Sequence, residues 1–96
     1  MYELLYHPNV LSEDLKRLNR DILKRIKTAI ENRLGRAPAD YGKPLRADLK
    51  SLWRLRVGDF RIVYLIEHKK VIVLQVVNRR DAYQEGIAEA RRRGLI

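Results

Sequence analysis

Leu52-Trp53-Arg54-Leu55-Arg56-Val57-Gly58-Asp59-Phe60-Arg61-Ile62-Val63-Tyr64 changes character at every residue. Lys50, Arg54 and Arg56 share one parity and Trp53, Leu55 and Val57 the other, the period of a strand with one basic and one apolar face. Gly58-Asp59 suits a two-residue hairpin turn, and that turn sets Val57 opposite Phe60 and Arg56 opposite Arg61. Like charges directly opposed across a sheet repel unless an anion, an acidic residue or solvent relieves them. The nearby acids are Asp48, Asp59 and Glu67. The pattern therefore implies a phosphate-binding face, and the plainer alternative is a solvated arginine-bearing one.

Downstream, Phe60 to Ile66 and Val71 to Val77 are rich in β-branched residues around a polar turn, Glu67 to Lys70, which predicts an antiparallel meander at the sheet's centre. Upstream, Tyr2 to His7 reads as an opening strand ended by Pro8. Leu11, Leu15, Leu18, Ile22, Ile26, Ala29, Ile30 and Leu34 then form one helical stripe. Asn19 and Asp21 are better caps than helix-interior residues, so the stripe divides into helices over about 9–18 and 21–35. Gly35 is expected as a left-handed cap, and Ala37 to Pro44 as a loop. Asp81 caps a final helix with Ala82, Ile87 and Ala90 apolar. The expected class is α+β: an N-terminal helical hairpin packed on a small antiparallel β-sheet, then a C-terminal helix, with residues 1–96 forming a single domain.

Composition bounds the chemistry. The 96 residues suffice for one core, and 46% hydrophobic with 34% charged residues is the balance of a folded domain. Without cysteine, and with only His7 and His68, a metal site is not expected, so any chemistry is expected to need no metal or other cofactor. The absence of a long apolar run or a signal-like start makes the cytoplasm the expected location. The net charge of +9 is concentrated in residues 43–80, where ten bases face three acids. Such an excess points to nucleic acid, an acidic protein or a membrane surface.

The quoted block closely resembles the RelE/ParE family of bacterial toxins. Tyr6-His7-Pro8, Lys43-Pro44-Leu45 and Asn78-Arg79-Arg80-Asp81-Ala82-Tyr83 match in order around it, so the resemblance spans nearly the whole chain. It implies a microbial-ribonuclease-like α+β fold with a basic, concave sheet face, and a toxin held inactive by an antitoxin encoded beside it. RelE-like members cleave messenger RNA in the ribosomal A site, as mRNA interferases; ParE-like members lack the nuclease residues and inhibit DNA gyrase.

Carried over residue by residue, the resemblance implies a RelE-like catalytic set of Arg54, Arg61, Arg79 and Tyr83, with Lys43, Arg46, Lys50, Arg56 and Arg80 along the RNA. One departure stands out. Leu52 occupies a strand position where RelE-like nucleases often carry a second base, and Lys50 shares its parity one pleat further away. Metal-free cleavage proceeds by 2′-hydroxyl attack on the adjacent phosphorus. Arg61 and Arg79 suit charge stabilisation of the phosphorane, whereas the guanidinium of Arg54 is a poor general acid or base. Tyr83 suits proton transfer or base stacking, against the alternative of a tyrosine packed on the final helix.

His7, His68, Trp53 and Tyr64 read as structural, and Arg91-Arg92-Arg93 as a solvated helix end. The expected partners are the ribosome with its mRNA and a cognate antitoxin carrying an acidic amphipathic segment, in a toxin–antitoxin hetero-oligomer, with no membrane partner.

Overall fold

A computed structural model describes residues 1–44, 52–78, 88 and 91–94. Strand β1 (Glu3–Tyr6) leads through Pro8 into helical segment α1, a wide π turn Val10–Asp14 followed by a 3-10 turn Leu15–Arg17. Helix α2 (Arg20–Ala29) starts where the Asn19 side chain accepts from the Ile22 amide at 2.9 Å, the capping role expected of it. It runs on through a second wide turn, Ile30–Leu34, closed by the Gly35 amide on the Ile30 carbonyl at 3.0 Å. Gly35 has φ −70, so the expected left-handed cap is replaced by this wider closure.

The segment read as a loop contains a short helix, α3 (Pro38–Tyr41), with Pro38 at its first position, and a two-residue strand, β2 (Lys43–Pro44). Strands β3 (Leu52–Val57), β4 (Phe60–Glu67) and β5 (Lys70–Asn78) form the meander. Of the expected terminal helix, Ala88, Arg91 and Arg92 are helical, Arg93 and Gly94 form a turn, and residues 81–87, 89, 90, 95 and 96 lie outside the described residues.

The sheet order is β1-β5-β4-β3-β2, which places β4 and β5 inside as expected. It is mixed rather than purely antiparallel, because β1 pairs parallel with β5 through Glu3↔Lys70 to Tyr6↔Val73. The topology explains this. β1 and β2 occupy opposite edges, and three reversals from β2 return β5 alongside β1 in the same direction.

One face of the sheet carries Leu55, Val57, Ile62, Tyr64, Val71, Val73 and Val76, buried with Val10, Leu15, Ile26, Ala29, Ile30 and Leu34 of the helical segments. Leu11, counted in the helical stripe, is 53% exposed. The wide first turn, in which the Leu15 amide reaches the Val10 carbonyl, breaks the 3.6-residue period, and Val10 is fully buried instead. Tyr64 is fully buried and donates its hydroxyl to the Pro38 carbonyl at 2.6 Å, with Trp53 stacked beside it at 6.5 Å. A β-carbon on Gly42 would stand 1.7 Å from the Tyr64 hydroxyl, so this hydrogen bond requires glycine there.

A charged contact locks α1 to the backbone of β5. Between Val63 and Tyr64 the β4–β5 register shifts, from Val63↔Gln75 to Tyr64↔Val73, leaving Leu74 as the extra residue of a bulge. The Leu74 carbonyl accepts from Arg93 Nη1 at 3.1 Å, and the Val76 amide donates to Asp14 Oδ2 at 2.9 Å. Asp14 and Arg93 complete the arrangement as a bidentate pair at 2.8 and 3.0 Å, their side chains 6% and 2% exposed. The expectation of a solvated arginine run is thus overturned for Arg93. The bulge leaves polar backbone groups at a buried edge, and only a fully paired charge couple satisfies them there. Arg92 stays at the surface beside Glu13 at 3.4 Å.

Two outcomes follow from this packing. Asp14→Ala strands the Arg93 charge and lowers the unfolding free energy in urea by about 3–5 kcal/mol, against at most about 1 kcal/mol for Glu13→Ala at the exposed pair. Burial raises the Tyr64 phenol from 10.0 to about 12, so the unfolded chain loses this proton first and stability falls as pH rises from 10 toward 12. Thermal melts of Tyr64→Phe across that window should show a shallower fall, leaving the slope from Tyr6, whose phenol is also raised, by burial and then by Glu31.

Candidate nucleic-acid interface

The Gly58-Asp59 turn takes a left-handed φ of +58 at Gly58 alone, the type II′ conformation whose twist suits a two-residue hairpin. It fixes the register Val57↔Phe60, Arg56↔Arg61, Leu55↔Ile62 and Arg54↔Val63. Since Leu55, Val57 and Ile62 enter the helix-covered core, Arg54, Arg56 and Arg61 point from the other face. β2 adds Lys43 directly opposite Arg54. Four of the cations singled out from the sequence, Lys43, Arg54, Arg56 and Arg61, therefore share one surface. Arg46, Lys50, Arg79, Arg80 and Tyr83 lie outside the described residues.

The face is not basic throughout. Along β3 it runs Leu52, Arg54, Arg56, and along β4 Leu65, Val63, Arg61, so the turn end is cationic and the far end apolar. Leu52, Val63 and Leu74 are buried there, with Leu65 and Ile72 against them. Leu52, the departure from the nuclease pattern, is thus a packing residue of this second cluster, 4% exposed. Arg56 is exposed, its Nε donating to the Gly58 carbonyl at 3.4 Å, and Arg54 and Arg61 are half-buried.

A hollow of about 290 Å³ beside β2 and β3 is lined by Arg33, Tyr41, Lys43, Arg54, Leu55 and Arg56. Among the described residues no carboxylate lines it, and a lining of cations suits an anion such as phosphate. Sequence reasoning missed Arg33 here. Its place on the stripe Arg25-Ala29-Arg33 was visible, but nothing local in the sequence says that the end of α2 reaches the β2–β3 edge. Tyr64 is excluded as a proton acceptor by its raised pKa and its bond to Pro38. His7 Nδ1 accepts from the Asn9 amide at 3.1 Å, and His68 occupies the β4–β5 turn with φ 57.

Comparison with known proteins agrees with this arrangement. Residues 5–83 match the sequence model of the ParE toxin of type II toxin–antitoxin systems. Toxin RelG of Mycobacterium tuberculosis is 37% identical over 73 residues, which cover 74% of this chain and 84% of that protein. Toxin RelE of the same organism is 35% identical over 75 residues, covering 76% and 77%. The toxin–antitoxin complex RelBE2 from M. tuberculosis contains a chain of similar fold, with a TM-score of 0.75 and 32% identity over 83% of this chain and 93% of that one.

The opposed arginines set stability against binding. Arg56→Gln relieves the like-charge pair with Arg61 and should raise the unfolding free energy measured in urea by about 0.2–1 kcal/mol, while weakening the binding of a polyanionic probe and its salt dependence in the same preparation.

Proposed function

Because the chain belongs to the ParE toxin family of type II toxin–antitoxin systems and is RelE-like, we propose that it is an mRNA interferase, a ribosome-dependent endoribonuclease that arrests growth by cutting messages during translation. The observation that carries this reading is the cluster of Lys43, Arg54, Arg56 and Arg61 on the sheet face turned from the helices. A gyrase inhibitor has no need of a phosphate grip, whereas RNA cleavage is largely a problem of charge stabilisation.

In the proposed reaction the 2′-oxygen of the RNA attacks the adjacent phosphorus, the 2′ proton passes to a base, and the 5′-oxygen leaves after taking a proton. The products are a 2′,3′-cyclic phosphate and a 5′-hydroxyl. Arg61 and Arg79 hold the phosphoryl oxygens as negative charge accumulates, and Arg54 orients the leaving side. Tyr83 moves the proton or stacks on a base. Arg79 and Tyr83 take these roles from the resemblance to RelE-like toxins. The finer architecture belongs to the same proposal: one domain over residues 1–96, with the helical segments as a hairpin on the sheet and Tyr83 on a final helix.

Arg46, Lys50 and Arg80 extend the RNA track. A cognate antitoxin with an acidic amphipathic segment neutralises the cationic face in a hetero-oligomer. The site of action is the cytoplasm, where translating ribosomes are; among the described residues no helix is long and apolar enough to cross a membrane.

Leu52 in its apolar cluster keeps the gyrase reading as the competitor, since it removes one base from the strand. Induction in cells, with mRNA ends mapped on ribosomes beside plasmid supercoiling, separates the two. New ends inside A-site codons support the nuclease; altered supercoiling with intact messages replaces it. Arg61→Ala and Arg79→Ala should each slow cleavage by roughly a hundredfold, about 3 kcal/mol of transition-state stabilisation, with the fold retained by circular dichroism. A large loss in Tyr83→Phe assigns proton transfer to the hydroxyl, and near-normal cleavage assigns stacking.

A further inference from the structure

Two side chains that the proposed reaction leaves without a role, Arg33 and Tyr41, line the 290 Å³ hollow together with Lys43, Arg54 and Arg56. Backbone ties fix them there. The Arg33 carbonyl accepts from the Ala37 amide at 2.9 Å and the Ala37 carbonyl from the Tyr41 amide at 3.1 Å, so consecutive hydrogen bonds join the wide turn after α2 to α3. The Tyr64 hydroxyl on the Pro38 carbonyl then ties α3 to the sheet, and Lys43 pairs with Arg54 across β2 and β3. The walls are set before any ligand arrives, which lowers the ordering cost of binding.

Tyr41 is 54% exposed, and its side chain makes no ring contact or hydrogen bond among the described residues. Arg33, Lys43 and Arg54 likewise have no ion-pair partner among them. Asp40, the neighbour of Tyr41 in the chain, is not among the lining residues. Four cations around one hollow exceed what an internal phosphodiester, with its single charge, can neutralise. A terminal phosphate carries about −1.5 to −2, so a row of phosphates ending in one matches the set. The aromatic wall adds a surface on which any base can stack.

Size narrows the occupant further. The hollow lies at the lower end of the roughly 300–1,000 Å³ of small-molecule sites, which suits one nucleotide rather than a helix of RNA or peptide. Past Arg33 and Arg56 the surface continues along α2 as a trough of about 560 Å³ and then into a pocket with Ile22, Ile26 and Phe60. Those large apolar side chains are anchors of the kind an amphipathic segment seeks, and none of them lines the hollow. The two surfaces therefore suit different ligands.

We propose that the hollow walled by Arg33, Tyr41, Lys43 and Arg54 binds a free nucleoside polyphosphate, its base on Tyr41 and its phosphates among the cations. Lys43, Arg54 and Arg56 also belong to the face proposed to hold the message, so an occupied hollow withdraws them from RNA and makes the site regulatory. That consequence rests on the nuclease reading; the binding does not. A nucleotide unit within an RNA strand shares the chemistry of base and phosphate, and the terminal phosphate separates the two sources.

The test is calorimetric titration of the full chain with ADP, with pyrophosphate, which lacks a base, and with the dinucleotide ApA, whose phosphate is internal. ADP should bind at least about fivefold more tightly than pyrophosphate and at least about tenfold more tightly than ApA. Tyr41→Ala should lose about fivefold or more for ADP and nothing for pyrophosphate, whereas Tyr41→Phe keeps the ring and stays within about twofold. Should Tyr41→Ala unfold the chain, Tyr41→Leu removes the ring at similar bulk and is expected to show the same selective loss. Arg33→Gln should weaken both phosphate ligands at least about threefold, and Lys16→Gln, at an exposed position away from the hollow, should change neither by more than about twofold. Absence of ADP binding, equal affinity for ADP and pyrophosphate, or a Tyr41→Ala effect on both ligands or on neither overturns the proposal. ApA binding as tightly as ADP replaces it with a subsite for the RNA strand, and a triglutamate peptide that outcompetes ADP replaces it with a site for acidic protein. Every readout is equilibrium binding, so a chain that proves not to be a nuclease leaves each result standing.

Discussion

The register of the β3–β4 hairpin is the constraint from which the rest of the molecule follows. A two-residue turn at Gly58-Asp59 sets Arg56 against Arg61, and every residue along both strands is then committed to one face. A slip of one residue in either strand would send that strand's arginines, Arg54 and Arg56 or Arg61, into the core and turn its apolar residues, Leu55 and Val57 or Ile62, out to water. The cost of burying an unpaired guanidinium group disfavours that alternative. The apolar side chains that anchor α2 and the cations that face away from it are thus two consequences of one turn.

That economy explains why this part of the molecule was legible in the sequence. Alternation is a local signal, the turn residues sit at its midpoint, and no distant contact is needed to set the pairing. The strand parity of Trp53 and Tyr64 read both as packing residues, and Tyr64 is fully buried with Trp53 partly buried against the same core. The helical stripe was legible in type and extent, with Asn19 at the break. Its detail was not, because the wide turns at Val10–Asp14 and Ile30–Leu34 depart from the 3.6-residue period and carry Leu11 outward.

Features that depend on residues far apart in the chain stayed hidden. Asp14 and Arg93 are 79 positions apart, and neither has a local reason to be buried. Arg93 read as one more solvated charge at a helix end, in a chain that is 34% charged. Their burial is explained by the bulge at Leu74, whose carbonyl and the neighbouring Val76 amide have to be satisfied at a covered edge. Similarly, Leu52 read as a missing base until its partners Val63 and Leu74 appeared beside it. Arg33 joined the cationic hollow only once the end of α2 was placed beside β2 and β3. The parallel pairing of β1 was likewise a property of topology rather than of any residue in β1.

The protein therefore divides its charge by purpose. Arg93 is spent inside, closing the sheet, while Lys43, Arg54, Arg56 and Arg61 share a surface whose like charges the RNA phosphate of the proposed reaction would relieve. The central claim, that this surface supports cleavage by the RNA's own 2′-hydroxyl, is tested most directly on translating ribosomes programmed with a message carrying a single 2′-deoxynucleotide at the scissile position of the A-site codon. The account predicts that the all-ribose message is cut, leaving a 2′,3′-cyclic phosphate and a 5′-hydroxyl, and that the deoxy-substituted message remains whole at that position. Cleavage of both at the same rate would contradict it.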